Sequence, residues 1–383
     1  VTDSNRKGGF ESKEVIENYI FEIYQKSNGN VKMIHEYVKT LQDYSCRRAL
    51  FNAGDRIKVI ASDITQYTSI EAVSQSQSVL AELESNADSA TLFDAYDVSV
   101  DLFASINKRI EARQSGKEII NGVRTGFSDL DSKLGTISKS DLVIIAARPS
   151  MGKTAIAQSF MINISFMQQH PVLFQSAEMS KDKIGARLVA SLASINLRDI
   201  RDATIPDDRW EYFLKATEKL KASKLLIDDK SKPSLSDIRR NCRRMKVKYG
   251  YVGAVFVDYL TLMRSPIKTD NNHLAVGAIS KGLKAIAKEF DCPVFCLSQL
   301  SRGVETRGDK RPMLSDLRES GQIEQDADVI LFIYRDEYYN KDSKETGIAE
   351  IIAAKVRDGE VGTVRLATEL QYSRFSNLEL SQF

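Results

Sequence analysis

The chain has 383 residues, 42% of them hydrophobic, with 54 Lys and Arg against 52 Asp and Glu for a net charge of +2. That length suits one large domain with a smaller companion, and the near-neutral balance gives no global signature of a nucleic-acid binder, leaving local basic clusters as the only candidates. No secretory leader is visible and no apolar run reaches the about 18 residues of a membrane span, so a cytoplasmic protein with no membrane partner is expected.

The chain opens on Val1 and not Met, as a fragment or an unusual start codon would. Up to about residue 120 the pattern is helical. "VIENYIFEIY" sets Val15, Ile16, Tyr19, Ile20 and Ile23 at helical spacing, "KSNGN" (26–30) predicts a turn, and "VKMIHEYVKTL" resumes with Ile34, Val38 and Leu41. Two longer helices are expected around 45–61 and 68–85. Residues 1–90 therefore read as a small all-α module without catalytic chemistry, ending in the polar linker "ESNADSAT" (84–91). Within 91–120, Phe93, Tyr96, Val100, Phe103, Ile106 and Ile110 make one apolar stripe. The stripe suits a helix packed on its own core and also a helix that docks on a neighbouring subunit.

From 121 to 383 the pattern alternates. Apolar runs predict strands at 141–147, 171–177, 251–260, 292–300, 327–335, 349–356 and 362–368. Helical stretches such as "KTAIAQSFMINISFMQQ", "KDKIGARLVASLAS" and "AVGAISKGLKAIAKEF" separate the earlier ones. Continuous apolar strands alternating with helices predict a mostly parallel sheet covered on both faces, with antiparallel strands at the end where connections are short. The four cysteines (Cys46, Cys242, Cys292, Cys296) form no CxxC pair and read as buried thiols of a reducing compartment, not as a metal site.

"AARPSMGKTAIA" (146–157) follows one of these strands and opens a helix. It ends as a phosphate-binding loop, G-x-x-x-x-G-K-[ST], with Ala147 where the first glycine stands. Backbone N–H groups of Ser150, Met151, Gly152, Lys153, Thr154 and Ala155 are placed to cradle phosphate oxygens. Lys153 would reach the β- and γ-phosphates and the Thr154 hydroxyl would bind Mg²⁺. "AVFVDYL" ends a strand in Asp258, suited to the Mg²⁺ shell or to capping the strand end. "VLFQSAEMS" puts Glu178 past another strand, where it could polarise water or stand as a surface glutamate. "FCLSQL" ends a strand in Gln299, suited to sensing the γ-phosphate. In a parallel sheet these strand ends share one edge. The reaction class implied is nucleotide hydrolysis.

"TGFSDLDSKLG", "AARPSMGKT", "SAEMS", "VDYLTLMR", "LSQLSRGVETRGDKRPMLSDLRESGQIEQDADVILFIYRDEYY" and "AAKVRDGEVGTVRL" occur in the order seen in replicative DNA helicases of the DnaB type, which the chain resembles densely from about residue 120 onward. The resemblance implies an α/β RecA-like P-loop motor domain that uses ATP and Mg²⁺, forms hexameric rings, encircles single-stranded DNA and moves along it 5′ to 3′. It implies that Lys153 and Thr154 bind phosphate and Mg²⁺, that Glu178 is the catalytic carboxylate, that Asp258 is the Walker B residue, and that Gln299 is the sensor. It further implies that Lys355 and Arg357 reach the ATP of the neighbouring subunit and that Arg318, Glu319 and Gly321 form a pore loop on the DNA backbone. Ala147 in place of the first glycine is typical of that family.

The helix at 92–112 resembles the linker helix that packs on the adjacent motor domain. The first ninety residues resemble only the helical hairpin of the N-terminal collar, which places primase binding in question and leaves a loader as an expected but unspecified partner. The polar segment 301–322 carries Arg302, Arg307, Lys310, Arg311 and Arg318, which suit phosphate contacts without base readout. The basic stretch "SLSDIRRNCRRMKVKYG" reads mainly as a solvated or subunit-facing helix face, with DNA contact as the alternative. Two other functions stay open: a RecA-like DNA-dependent ATPase that forms filaments without unwinding, and a truncated helicase copy that regulates rings.

Overall fold

The computed structural model describes residues 31–63, 67–69, 71–73, 75–76, 78–80, 94–115, 121–267, 269 and 271–378. The chain divides into two units, Val1–Glu118 and Ile119–Phe383. Among the described residues no helix is long and apolar enough to cross a membrane.

In the first unit α1 (Val31–Ser62) is one continuous helix of 32 residues. The sequence predicted two, ending near 41 and restarting near 45. The intervening "QDYS" holds neither Gly nor Pro, so nothing interrupts the backbone ladder, and the Asp43–Arg47 pair at 2.7 Å bridges one turn across it. The described residues between 71 and 80 are helical as well. The predicted helix at 15–23, the turn at 26–30 and the linker at 84–91 lie outside the described residues. A second long helix, α2 (Ala95–Gln114), starts where the Asp94 carboxylate accepts the Tyr96 N–H at 2.7 Å. None of its residues is buried among the described residues, so its apolar stripe, Tyr96, Val100, Phe103, Ile106 and Ile110, stands exposed there.

The second unit runs α3 (Ser128–Leu134), β1 (Leu142–Ala147), α4 (Lys153–Ile162), β2 (Val172–Ser176), α5 (Lys181–Ala193), α6 (Leu197–Asp202), α7 (Trp210–Ala222), β3 (Leu225–Asp228) and α8 (Leu235–Tyr249). It continues with β4 (Ala254–Asp258), α9 (Asn272–Glu289), β5 (Val294–Gln299), α10 (Gly321–Asp326), β6 (Val329–Tyr334), β7 (Ile348–Val356), β8 (Gly362–Glu369) and β9 (Arg374–Asn377). The nine strands form one sheet in the order β3-β2-β4-β5-β1-β6-β7-β8-β9. β3 to β6 pair in parallel, and β6-β7-β8-β9 pair antiparallel. All seven predicted strands are present. β3 and β9 were not predicted: each is four residues long and none of the β3 residues is fully buried, so neither makes the continuous apolar run that marks a central strand.

The period-two alternation of β1 explains the layering. Val143, Ile145 and Ala147 face one core with α3, α4 and α5; Leu142, Ile144 and Ala146 face the other with α8, α9 and α10. Phe256 and Phe295 stack on the first face with ring centroids 4.3 Å apart, and Phe160 of α4 meets Phe295 at 6.2 Å. Truncating a fully buried ring such as Phe160 typically costs about 3–5 kcal/mol. That packing holds α4, and hence the loop before it, against the centre of the sheet.

Candidate nucleotide site

β1 delivers the chain to the carboxyl edge of the sheet. Ala147 is its last residue, buried and in register with Gln299 of β5, and its carbonyl accepts the Leu300 N–H at 3.2 Å. The position is ordinary strand, so it makes no demand for glycine. The turn comes later, with positive φ at Ser150 (67°) and Gly152 (96°). A Cβ on Gly152 would stand 2.9 Å from the Phe375 ring and 3.3 Å from Leu370, so glycine is required there both for its dihedral and for space. The buried Arg148 steadies the loop by donating to the Leu300 carbonyl (2.8 Å) and pairing with Glu305 (2.9 Å), while Arg335 donates to the Ser150 carbonyl at 3.2 Å.

Four strand ends converge here. Asp258 closes β4 and is fully buried. Thr154 donates its hydroxyl to Asp258 Oδ2 at 3.1 Å, and Lys153 Nζ lies 3.8 Å from Oδ1 and 4.5 Å from the Tyr259 ring centroid. Asp258 Oδ1 has no hydrogen-bond partner. Burial pushes the Asp258 carboxyl above its ordinary range; Lys153 pulls it back, Glu178 raises it further, and Thr154 and Arg187 oppose. Glu178 is thus within electrostatic reach, exposed just beyond β2, on a segment tied to β4 by the Ala177 N–H to the Asp258 carbonyl (2.6 Å). Gln299 is exposed at the end of β5, beside the start of the loop.

This donor set fits a magnesium nucleotide. An orphaned, buried carboxylate oxygen beside a threonine hydroxyl supplies hard oxygen ligands, and Mg²⁺ is usually held by one or two such groups plus substrate phosphates. Among the described residues no cluster of three His, Cys, Asp or Glu offers an all-protein metal cage. No side chain caps α4, which leaves its first-turn N–H groups for an anion, next to the Lys153 ammonium.

Lys355 and Arg357 are elsewhere. They follow β7 to the amino edge of the sheet, where Val356 is in register with Val329 and the Arg357 N–H bonds the Asp328 carbonyl at 3.0 Å. The six residues of β1 separate the two edges by roughly 16 Å, beyond the reach of an arginine side chain. Lys355 Nζ donates to the Glu324 carbonyl (2.7 Å), and the largely exposed Arg357 donates to Asp328 Oδ1 (3.1 Å). Arg318 and Glu319 lie in the 3₁₀ stretch Leu314–Ser320, and the exposed Gly321 opens α10.

The polar segment before them is more ordered than its composition suggests. Arg307 makes a two-pronged pair with Asp316 (2.9 and 2.8 Å), and Arg311 does the same with Glu350 (2.8 and 2.6 Å). These two arginines are committed to carboxylates of their own fold. On α8, Arg239 pairs with Glu289 at 2.6 Å and Arg240 with Asp237 at 2.9 Å.

Sequence reasoning missed three contributors. Arg187, on α5, interacts electrostatically with Asp258 and Glu178 and donates to the Ser373 hydroxyl at 3.2 Å, which in turn donates to Gln158 at 3.1 Å. Tyr259 supplies the ring face under Lys153. Asp328 anchors Arg357. No local motif marks Arg187, which lies two turns into an amphipathic helix; only the fold brings it to the site.

Residues 122–377 match the family described as DnaB-like helicase C terminal domain. The chain is 48% identical over 261 residues to the replicative DNA helicase DnaB of Haemophilus influenzae, covering 68% of this chain and 56% of that protein. It is 38% identical over 349 residues to the replicative DNA helicase DnaC of Bacillus subtilis, covering 90% of this chain and 75% of that protein. The chain thus spans little more than half the length of the first of these relatives. A solved DnaB-like replicative helicase, described together with its interactions with primase, aligns at 36% identity and a TM-score of 0.72 over 94% of this chain and 83% of that one.

Proposed function

Because the chain belongs to the family of the DnaB-like helicase C terminal domain, we propose that it is an ATP-hydrolysing replicative DNA helicase that assembles into a homohexameric ring, moves 5′ to 3′ on single-stranded DNA and unwinds duplex at the replication fork. One observation carries the reading: the site is split between two edges of the sheet. The carboxyl edge holds Lys153, Thr154, Asp258, Glu178 and Gln299, while the exposed Arg357 stands at the amino edge, where it cannot serve its own loop. In a ring, the amino edge of one subunit would face the carboxyl edge of the next.

Ser150, Met151, Gly152 and Ala155 shape the phosphate cradle, and Lys153 neutralises the phosphates. Thr154 and Asp258 hold the Mg²⁺, which supplies charge neutralisation to the phosphoryl group in transfer. Glu178 orients the attacking water and accepts its proton. Gln299 contacts the terminal phosphate and passes its presence through Leu300 to the segment that ends at Arg318, Glu319 and Gly321, which track the DNA backbone. Lys355 and Arg357 complete the neighbour's site. The exposed stripe of α2 supports a role as the linker helix docked on an adjacent subunit. Residues 1–90 then serve as a partial helical collar, 91–120 as the linker and 121–383 as the motor. Primase, which the solved relative contacts, and a loader are partners consistent with this role, in the cytoplasm at the replication fork.

The test is the assembly mass with Mg²⁺ and ATP, together with ATPase and forked-duplex unwinding with and without single-stranded DNA. A closed six-subunit ring with DNA-stimulated turnover and unwinding is expected. Open filaments with DNA-stimulated turnover but no unwinding would point to a recombinase-like ATPase. Mixed rings with no turnover of this chain's own would point to a regulatory copy.

A further inference from the structure

We infer that Asp328, fixed at the start of β6 by Leu142 and Lys284, is a positioning residue that aims Arg357 across the subunit boundary. The inference rests on the trans reading of Arg357 given above and goes one residue behind it.

Asp328 is almost fully buried, and its own placement does not depend on Arg357. Its N–H bonds the Leu142 carbonyl (2.9 Å), its Oδ2 accepts the Leu142 N–H (2.8 Å), and Oδ2 pairs with the Lys284 ammonium, which is itself bonded to the Ser140 carbonyl (2.8 Å). Two central strands, β1 and β6, and the long helix α9 thus lock the carboxylate. Arg357 is then held twice by this one residue, backbone N–H to the Asp328 carbonyl (3.0 Å) and Nη1 to Oδ1 (3.1 Å).

The Arg357 end of this pair is in water, and Asp328 keeps Lys284 and the Leu142 N–H as partners without it, so stability is a poor account of the contact. Geometry is a better one. A guanidinium has five N–H donors in a planar fork. Engaging one terminal nitrogen on a rigid acceptor restricts the rotamers of a side chain that is otherwise in water and leaves the remaining donors facing outward. Lys355, the other member of the basic pair, is fixed by the Glu324 carbonyl of α10. Both anchors therefore lie on residues 324–328, continuous with the Gly321 start of α10. A shift of the Arg318–Gly321 loop would pass directly to the residues that serve the neighbour's site.

The experiment compares Asp328→Asn with Arg357→Ala and wild type in assembled rings. Asparagine keeps an acceptor for the Leu142 N–H and removes the charge. The turnover number of Asp328→Asn should fall roughly 10- to 100-fold, the effect of misplacing a reacting group by about 1 Å, with KM for ATP and ring mass unchanged. Affinity for ADP with aluminium fluoride, a mimic of the transferring phosphoryl group, should fall by a similar factor while affinity for ADP alone holds.

Subunit mixing then separates positioning from a fold defect. Asp328→Asn chains mixed with Glu178→Gln chains should regain turnover, because a Glu178→Gln neighbour brings an intact Asp328 and Arg357 to an intact Glu178. The parallel mixture of Arg357→Ala with Glu178→Gln tests the underlying trans reading. Recovery there, with none for Asp328→Asn, overturns the positioning role alone; recovery in neither overturns the trans reading. Wild-type turnover of Asp328→Asn also overturns the inference. Should Asp328→Asn fail to assemble, the double variant Lys284→Met/Asp328→Asn, which leaves no buried cation unpaired, carries the same measurements. Loss of assembly in both marks Asp328 as a fold anchor and overturns the inference.

Discussion

Two aspartates at strand ends of the same sheet, Asp258 at the carboxyl edge and Asp328 at the amino edge, are both buried and both face a lysine. Burial pushes each carboxyl upward. At Asp328 the Leu142 N–H, Lys284 and Arg357 outweigh it and hold the carboxyl below its ordinary range; at Asp258 Lys153 and Thr154 do not, and it stays above. The difference is one of completeness. Both Asp328 oxygens accept hydrogen bonds from the protein, whereas Asp258 Oδ1 accepts none and has only the Lys153 ammonium 3.8 Å away. A buried carboxylate left unfinished is what a site awaiting a cation requires, and a finished one is what a fixed anchor requires.

The largest effects are expected where the unfinished edge is broken. Lys153→Ala should abolish turnover and weaken nucleotide binding, since it removes a charge from the phosphates in ground and transition state alike. Glu178→Gln should keep nucleotide affinity within a few-fold while turnover falls by at least about 100-fold, because the carboxylate acts on the water and not on the phosphates. Equilibrium binding of a fluorescent nucleotide alongside steady-state turnover checks the pair. Wild-type turnover in Glu178→Gln would remove that residue from the chemistry.

At the amino edge, Arg357→Ala should bind ATP and assemble but lose about 10³–10⁵ in rate, as an arginine supplied in trans typically contributes. Mixed with Glu178→Gln after demonstrated subunit exchange, it should recover part of the activity. Failure to recover would mean that the two edges do not meet across a subunit boundary.

How much of this was legible follows from the same two edges. That Lys153, Thr154, Asp258, Glu178 and Gln299 share one sheet edge was readable, because Asp258 and Gln299 close apolar strands, Glu178 follows one within two residues, the G-K-T loop follows another, and parallel topology puts such ends together. The covering of the sheet on both faces was readable from strands such as β1 that are apolar at every position. Arg187 was not, because a helix position carries no sign of what lies across from it. Asp328 was not, because its partners, Leu142 and Lys284, are 186 and 44 residues away in sequence. The single α1 in place of two helices shows the opposite failure: a change of pattern near residue 42 predicted a break that the backbone, free of Gly and Pro, does not make.

The basic residues before Gly321 divide in the same way on a smaller scale, since composition treated Arg307 and Arg318 alike. Arg307→Ala strands the buried Asp316, though the Met313 N–H still reaches its Oδ2 at 2.8 Å, so a loss of about 1–2 kcal/mol is expected, read as a lower Tm. The slope of DNA affinity against salt should not change. Arg318→Ala should leave Tm near wild type, weaken single-stranded DNA binding about equally for all sequences, and reduce the salt slope by roughly 1. An unchanged salt slope in Arg318→Ala, or a reduced one in Arg307→Ala, would reverse the assignment.

The smallest effect probes whether the amino edge is as complete as Asp328 suggests. Asp141 sits there half-buried, accepting the Ser138 N–H at 2.8 Å. Burial pushes its carboxyl up to about 6, the Ser138 bond opposes, Asp328 and Asp358 add to the rise, and Lys284 opposes it. An unfolded aspartate titrates near about 3.9. The folded value is the higher one, so the folded state holds this proton more tightly. Its contribution to stability is therefore full below about pH 4 and is lost as pH rises toward 6. Asp141→Asn keeps an oxygen for the Ser138 N–H and removes the charge that becomes unfavourable. The difference in Tm, variant minus wild type, should be near zero below pH 4, rise between pH 4 and 6, and level off above. With solvent screening of a half-buried group, the plateau should be about 2–4 °C, the shift that roughly 1 kcal/mol gives in a domain of this size. A difference that is flat across the range would show that Lys284 and Arg357 already balance all three aspartates. One that shrinks as pH rises would mean that Asp141 is held charged by its neighbours, and the amino edge would then be built on its negative charge.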